Sequence, residues 1–311
     1  MHNKKYWEKR EQKWIQSALQ QDSKFEKELT NYYQQALDEI NSQVNSFYLK
    51  YANSQGISYS DAMKAVKSAD IAKLSKEAKR IVNTKDFSDY ANAQMKLYNA
   101  TMSINRLEYL KSQIGFILAK HGNKIEKSLR KHLTKAYQDE IKRQEGIFKD
   151  FNISQTQMKS DAESIVNASF HNATWSERLW SSMSALQARL GIDLTNIMTQ
   201  GLDMKALEKH IKPLIKDDVK NTTYVAHRLA KTETSRVQFQ AQLNQLHRYD
   251  VKYVKWIAEP SACRICAAIA SDNEGVYKIE DVPEIPVHPN CRCSIAGDAR
   301  QDFENYLNNN D

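Results

Sequence analysis

The stretch VKYVKWIAEPSACRICAAIASDNEGVYKIEDVPEIPVHPNCRCSIA, residues 251–296, is where the texture of the chain changes. It opens on an alternation, Val251-Lys252-Tyr253-Val254-Lys255-Trp256-Ile257-Ala258, that reads as a strand. Gly275-Val276-Tyr277-Lys278-Ile279 reads as a second strand and Cys293-Ser294-Ile295-Ala296 as a third. Four of the five prolines (Pro260, Pro283, Pro286, Pro289) and all four cysteines (Cys263, Cys266, Cys291, Cys293) fall between 260 and 293. Elsewhere breakers are scarce. The 311 residues hold 8 Gly and 5 Pro, where average usage would give about 22 and 16. A sandwich, a barrel or a loop-rich disulfide scaffold is thereby excluded. The expected fold is mainly α: long helices in the N-terminal half, and a helical C-terminal domain ending in a small β-hairpin module.

Working outward, residues 4–52 read as one or two helices, with Phe25, Leu29, Tyr33, Ala36, Ile40, Val44, Phe47 and Tyr51 on one stripe. Helical periods recur at about 61–83, 87–120 and 124–148, the last two separated by His121-Gly122-Asn123. A polar boundary at 151–165 follows. A helix opening near Phe170 is expected to close at Gly191, and a short one at Gly201. Two more are expected at 203–216 and about 219–248, the latter with Val225, Leu229, Thr232, Arg236, Phe239, Leu243 and Leu246 sharing a face. The domains expected along the chain are an elongated helical, basic domain at 1–155, a second at 156–297 carrying the Cys/His β module at 250–297, and a tail at 298–311.

Hydrophobic content of 41% and charged content of 27% are enough for a core and exclude a disordered composition. No run of 18 apolar residues exists, so no membrane span is expected. The opening MHNKKYWEKREQKW lacks the apolar centre of a secretory signal, which leads to the expectation of a cytoplasmic protein. Net charge is +7 and uneven: residues 1–150 carry 27 Lys and Arg against 18 Asp and Glu, and residues 151–311 carry 18 against 20. A polyanion partner would therefore meet the N-terminal half. Lys120, Lys124, Lys127, Lys131 and Lys135 step down one helical face, with Arg130, Lys142 and Arg143 nearby. This row is a candidate contact for double-stranded DNA without sequence preference, or an ordinary solvated face. Trp7 and Trp14, a heptad apart, are candidates for partner docking or for capping the core.

Clustered cysteines in such a chain point to metal more than to disulfides, the alternative being buried thiols or thiols disulfide-linked after leaving the cell. Cys263-x2-Cys266 lets two thiolates turn onto one ion, and His288-Pro289-Asn290-Cys291-Arg292-Cys293 returns three more ligands. Zinc takes four N or S ligands in a tetrahedron. The expected set is Cys263, Cys266 and His288 with one of Cys291 or Cys293. A structural ion would supply folding energy to a short piece unable to bury much core. A catalytic ion would need an open position and a base. Glu259, Glu274 and Glu284 are the local carboxylates of suitable length, and no H-x-E or H-E-x-x-H pattern surrounds them. A His/Asn nuclease finger would need a second histidine beside His288, and the next one upstream is His247.

Several blocks together resemble the phage Mu F-like minor head proteins. Trp256-Ile257-Ala258-x4-Cys263-x2-Cys266, Gly275-Val276-Tyr277 and His288-Pro289-Asn290-Cys291-Arg292-Cys293 resemble the C-terminal signature of that family. Upstream, Ala226-His227-Arg228-Leu229-Ala230-Lys231-Thr232-Glu233-Thr234 looks like its Arg-x-x-Ala-Arg-Thr-Glu helix, with Lys231 where Arg is usual. Trp175-Ser176-Glu177-Arg178-Leu179-Trp180 suits the helix that opens the domain. The resemblance covers roughly 165–297. It implies a non-enzymatic minor capsid protein of a tailed phage or prophage, active in head morphogenesis. Such a protein is made in the bacterial cytoplasm and lies inside the head at the portal, where it assists assembly, DNA packaging or DNA ejection. The implied partners are the portal protein, scaffold or major capsid protein, and packaged DNA. Thr232 and Glu233, on the family-like helix, are candidates for partner recognition or for holding the hairpin; otherwise Glu233 pairs with Arg236 or Arg228. Two rival readings are a zinc-dependent hydrolase or nuclease and a zinc-ribbon nucleic-acid regulator. Against the latter, residues 259–293 carry Arg264, Lys278 and Arg292 against Glu259, Asp272, Glu274, Glu280, Asp281 and Glu284, the wrong sign for DNA.

Overall fold

The computed structural model describes residues 4–52, 78–79, 83, 89–148, 153–199 and 204–297. The chain is mainly helical, with a small three-stranded sheet near its C-terminus. The described residues form α1 (Lys4–Ala52), α2 (Asp89–Phe148), α3 (Gln155–Asn167), α4 (Trp175–Thr199), α5 (Met204–Arg248) and α6 (Arg264–Ser271). The strands are β1 (Tyr253–Ile257), β2 (Val276–Lys278) and β3 (Ser294–Gly297). Among the described residues no helix is long and apolar enough to cross a membrane. Most of the helix expected at 61–83, the side chains of Phe47 and Tyr51, and the tail at 298–311 lie outside the described residues.

Helices prove longer than the breakers suggest. His121-Gly122-Asn123 does not interrupt α2, Gly191 does not close α4, and α5 runs unbroken past Pro213. An interior Gly costs about 1 kcal/mol and an interior Pro about 3. Burial on either side outweighs these costs: Leu118 and Ile125 flank Gly122, Leu190 and Leu194 flank Gly191, and Ile211 and Ile215 flank Pro213.

Two compact units divide the chain in space, whereas 1–155 and 156–297 divide it along the sequence. One unit comprises Asn31–Asn123 and Ser181–Thr223. Within it Tyr33, Ile40, Leu107, Ile114, Leu186 and Val219 are buried. Glu39 takes an ion pair from Lys120 at 2.8 Å, and Arg189 donates to Thr222 at 3.1 Å.

The other unit comprises Met1–Thr30, Lys124–Trp180 and Tyr224–Asp311. Here α1 buries Glu11, Ile15, Ala18, Asp22, Phe25 and Leu29, at steps of three and four. Over Glu233–Phe239 every residue of α5 is buried, so this helix is wrapped on all sides. Its apolar face is Ala226, Ala230, Val237 and Ala241. Val225, expected on that face, is exposed. A helix covered all round must satisfy its polar groups internally. Glu233 does so by taking Arg236 Nε at 2.7 Å and Arg178 at 3.2 Å. Arg236 in turn donates to the carbonyls of Ile165 and Val166, which end α3. Trp175 Nε1 also reaches Val166 O, at 3.0 Å. Thr174 and Glu177 close a reciprocal capping box at the start of α4.

The module after α5 is a sheet of order β2-β1-β3, antiparallel throughout. Expected as a hairpin, it has α6 and a turn at Asp272–Gly275 between β1 and β2 instead of a tight loop. Val254 and Trp256 point into a core with Phe239, Leu246, Ile279, Ile285 and Ile295. The turn needs Gly275: its φ is +75°, and a Cβ there would lie 2.8 Å from Ala270 O and 3.2 Å from Trp256 O. Two residues on, Tyr277 donates its hydroxyl to Ile269 O at 2.7 Å, tying β2 to α6.

Candidate metal centre

Two short segments carry the cysteines together. Cys263 stands at the N-cap of α6, so Cys266 lies one helical turn further on, facing the module core. His288–Cys293 return as an irregular loop closed by a turn from Cys291 N–H to His288 O at 3.1 Å. All five candidate ligands come together, in two triads that share Cys266. Cys263, Cys266 and His288 form one triad and Cys266, Cys291 and Cys293 another, with the ligand atoms of each within 4.8 Å of one another.

Three observations fit a metal ion. First, the separations: Cys266 Sγ to Cys291 Sγ is 3.7 Å. Two thiolates on one tetrahedral zinc stand about 3.8 Å apart, from bonds of about 2.3 Å. His288 Nε2 lies 3.1 Å from Cys263 Sγ and 3.3 Å from Cys266 Sγ, against about 3.6 Å for such a pair. Second, His288 Nδ1 faces Pro289 O at 2.9 Å. A carbonyl accepts only, so Nδ1 carries the proton and the lone pair of Nε2 is aimed at the thiols. Third, the donor set is electrostatically incomplete alone. Backbone N–H groups at the start of α6, Cys266 first, hold the Cys263 thiol below its usual range. The Cys293 thiol holds Cys291 down to about 5, while burial pushes Cys266 up to about 12 and the bond to Cys291 pushes Cys293 up. Packed thiols without a cation resist joint ionisation; a bound cation removes that penalty. All four cysteines are free thiols, not disulfides.

The ligand loop is also held from outside. Asn290 N–H donates to Thr232 Oγ1 at 3.0 Å, and Arg292 N–H to Glu259 Oε1 at 3.0 Å. The Arg292 side chain is buried, donating to Asp22 on α1 at 2.7 Å and to Gln238 on α5. Ser294 Oγ donates to Glu11 at 3.0 Å and accepts from Gln242 at 2.8 Å. Asp22, Glu11, Gln238 and Gln242 gave no signal of their own in the sequence. Their only mark is polarity at positions in phase with the apolar stripes.

The remaining candidates are scattered. Thr232 holds the ligand loop. Glu233 is fully buried in the Arg178–Arg236 network and is not available to a partner. Trp7 and Trp14 are half-buried, with Arg10 over the first ring at 5.5 Å and Arg143 over the second at 4.4 Å. Arg143 does not belong to an exposed basic row. It lies between Glu11 and Glu140, and although burial opposes its charge, these two carboxylates hold its pKa above the usual value. Of the others, Lys120 pairs with Glu39, Arg130 with Glu126 and Lys135 with Asp139. Lys124, Lys127, Lys131 and Lys142 are exposed and make no ion pair among the described residues.

Comparison with family models, with curated proteins and with solved structures finds no match for the chain.

Proposed function

We propose that this chain is a minor head protein of a tailed phage or prophage, acting inside the capsid at the portal, without catalysis, and built around a structural zinc ion. One observation carries the reading. The three sequence blocks that resemble the Mu F-like family are joined to one another by hydrogen bonds. Arg178 of the first reaches Glu233 of the second at 3.2 Å, and Thr232 of the second holds Asn290 of the third at 3.0 Å. Zinc is favoured by the N/S donor set and by the thiol–thiol and thiol–imidazole separations around Cys266. Its role would be structural, since Cys263, Cys266 and His288 with one of Cys291 or Cys293 would supply four protein ligands and leave no open position.

The mechanical consequence is a protein that assembles rather than reacts. The module surface is acidic and suits a protein partner, the portal or a neighbouring head protein. Lys124, Lys127 and Lys131, at successive turns of α2, supply the DNA contact: three phosphates neutralised give a slope of about −2.7 in log K against log salt. The decisive experiment is mass spectrometry of purified virions and proheads, with pull-down by portal protein. The chain is expected in both particles at low copy. Its absence from particles, together with indifference to portal, scaffold and proheads, would refute the assignment. One zinc per chain with an open coordination position in X-ray absorption would instead favour the hydrolase.

A further inference from the structure

We propose that metal loading and the seating of the first turns of α1 on the module are a single coupled event, with Arg292 as the positioning residue between them. The inference rests on the Cys/His cluster holding a metal ion.

Arg292 is the residue between two of the candidate ligands, Cys291 and Cys293. Its backbone direction is therefore set by whatever fixes those cysteines. The loop has little structure of its own to do this: one turn closes it, and no strand begins before Ser294. Its side chain reaches Asp22, on a helix 270 residues upstream in sequence. Arginine and aspartate are 3% and 5% exposed, so neither charge is rescued by water if the other moves away. A second attachment repeats the logic. Ser294, the next residue but one, reaches Glu11, which burial holds above its usual pKa and which lies on the same face of α1 as Asp22. Between them this segment of α1 buries only Ile15 and Ala18, the latter a small side chain. Its hold on the module is thus largely polar and directional, and such contacts demand a correctly aimed partner. Metal bound at the thiols aims Arg292. Without metal the loop keeps only its bonds to Thr232 and Glu259, so the guanidinium is less firmly aimed at Asp22 and residues 8–25 are held more loosely.

Linkage makes the coupling reciprocal: if metal tightens α1, an intact α1 contact tightens metal by the same factor. The test uses the full chain and zinc. Amide hydrogen exchange is followed over 8–25, and over 31–44 as a control, before and after zinc removal with a chelator. Zinc affinity of wild type and Asp22→Asn is measured by competition with a chromophoric chelator, and the cobalt-substituted spectrum is recorded for both. Zinc is expected to slow exchange over 8–25 by about tenfold or more and leave 31–44 unchanged. Asp22→Asn should weaken zinc by about tenfold or more, with cobalt bands at unchanged wavelengths because no ligand is lost. If Asp22→Asn does not fold, the double variant Asp22→Leu/Arg292→Met, which leaves no buried charge unpaired, should bind zinc yet show no zinc response in α1. One zinc per chain with identical affinities and no exchange response over 8–25 would overturn the coupling and leave the metal site standing. A wild-type chain that takes up no zinc would overturn both.

Discussion

Acidification is expected to destabilise the unit that includes Lys124–Trp180 through one residue, His132 on α2. Its ring stacks on Phe25 at 3.9 Å with an interplanar angle of 8° and faces Thr234 Oγ1 at 3.2 Å. Thr234 already donates its own hydroxyl to Ala230 O at 2.7 Å, so the imidazole must donate to it from Nε2. Burial holds its pKa down to about 4, against an ordinary 6.5; Asp22 and Glu28 push it up, and Arg292 and Lys135 push it down. The unfolded chain therefore binds a proton that the folded chain refuses between these two values, and stability falls as pH falls through this window. At about 1.36 kcal/mol per pH unit, the loss is about 1.4 kcal/mol at pH 5.5 and about 3 kcal/mol at pH 4. The comparison is chemical denaturation of wild type and His132→Phe from pH 7 to pH 4. Phe keeps the stack and cannot titrate. Their stability difference should shift by about 3 kcal/mol in favour of the variant on acidification. A difference independent of pH, or an imidazole resonance titrating near 6.5, would refute the assignment of this histidine as buried and neutral.

Cys266→Ser removes the thiol common to both triads and should abolish stoichiometric zinc uptake, read by atomic absorption, along with the heat-induced transition of the module. Glu233→Ala leaves two guanidinium groups facing an empty buried site and should cost about 3–5 kcal/mol in urea denaturation, whereas Glu233→Gln should cost less. Gly275→Ala meets both a positive φ and the Ala270 carbonyl, and should lower module stability by about 1–3 kcal/mol by the same assay.

Helical class, the three strands and the convergence of the five metal ligands were legible because each rests on local pattern. Period-2 alternation at 251–258 is a property of neighbouring residues, and so is a Cys-x2-Cys pair on one helical turn. Helix ends at Gly122, Gly191 and past Pro213 were misjudged for the opposite reason. Local propensity favours a break there, and burial contributed by distant segments overrides it. The partners of Arg292 were illegible in principle. Asp22 lies 270 residues away, and one buried aspartate in an amphipathic helix looks like a slip in the apolar stripe. Arg143 misled in the same way: spacing puts it with the lysines, but Glu11 and Glu140 draw it inward.

The adjacent residues Thr232 and Glu233 show how a sequence signature divides between two tasks. Successive positions on a helix point about 100° apart, so one cannot do the other's work. Thr232 is half-buried and turned to the ligand loop, donating to Arg228 O at 2.7 Å and accepting from Asn290 N–H. Glu233 is turned to α3 and α4 and gathers Arg236 and Arg178. The first fixes the metal module to α5; the second fixes the helices to one another around it. Because both side chains are committed internally, neither is free to recognise a portal or capsid partner. If the chain is a head protein, its partner contacts must be made by residues other than these two. The exposed lysines of α2 and the acidic module surface are where such recognition would be sought.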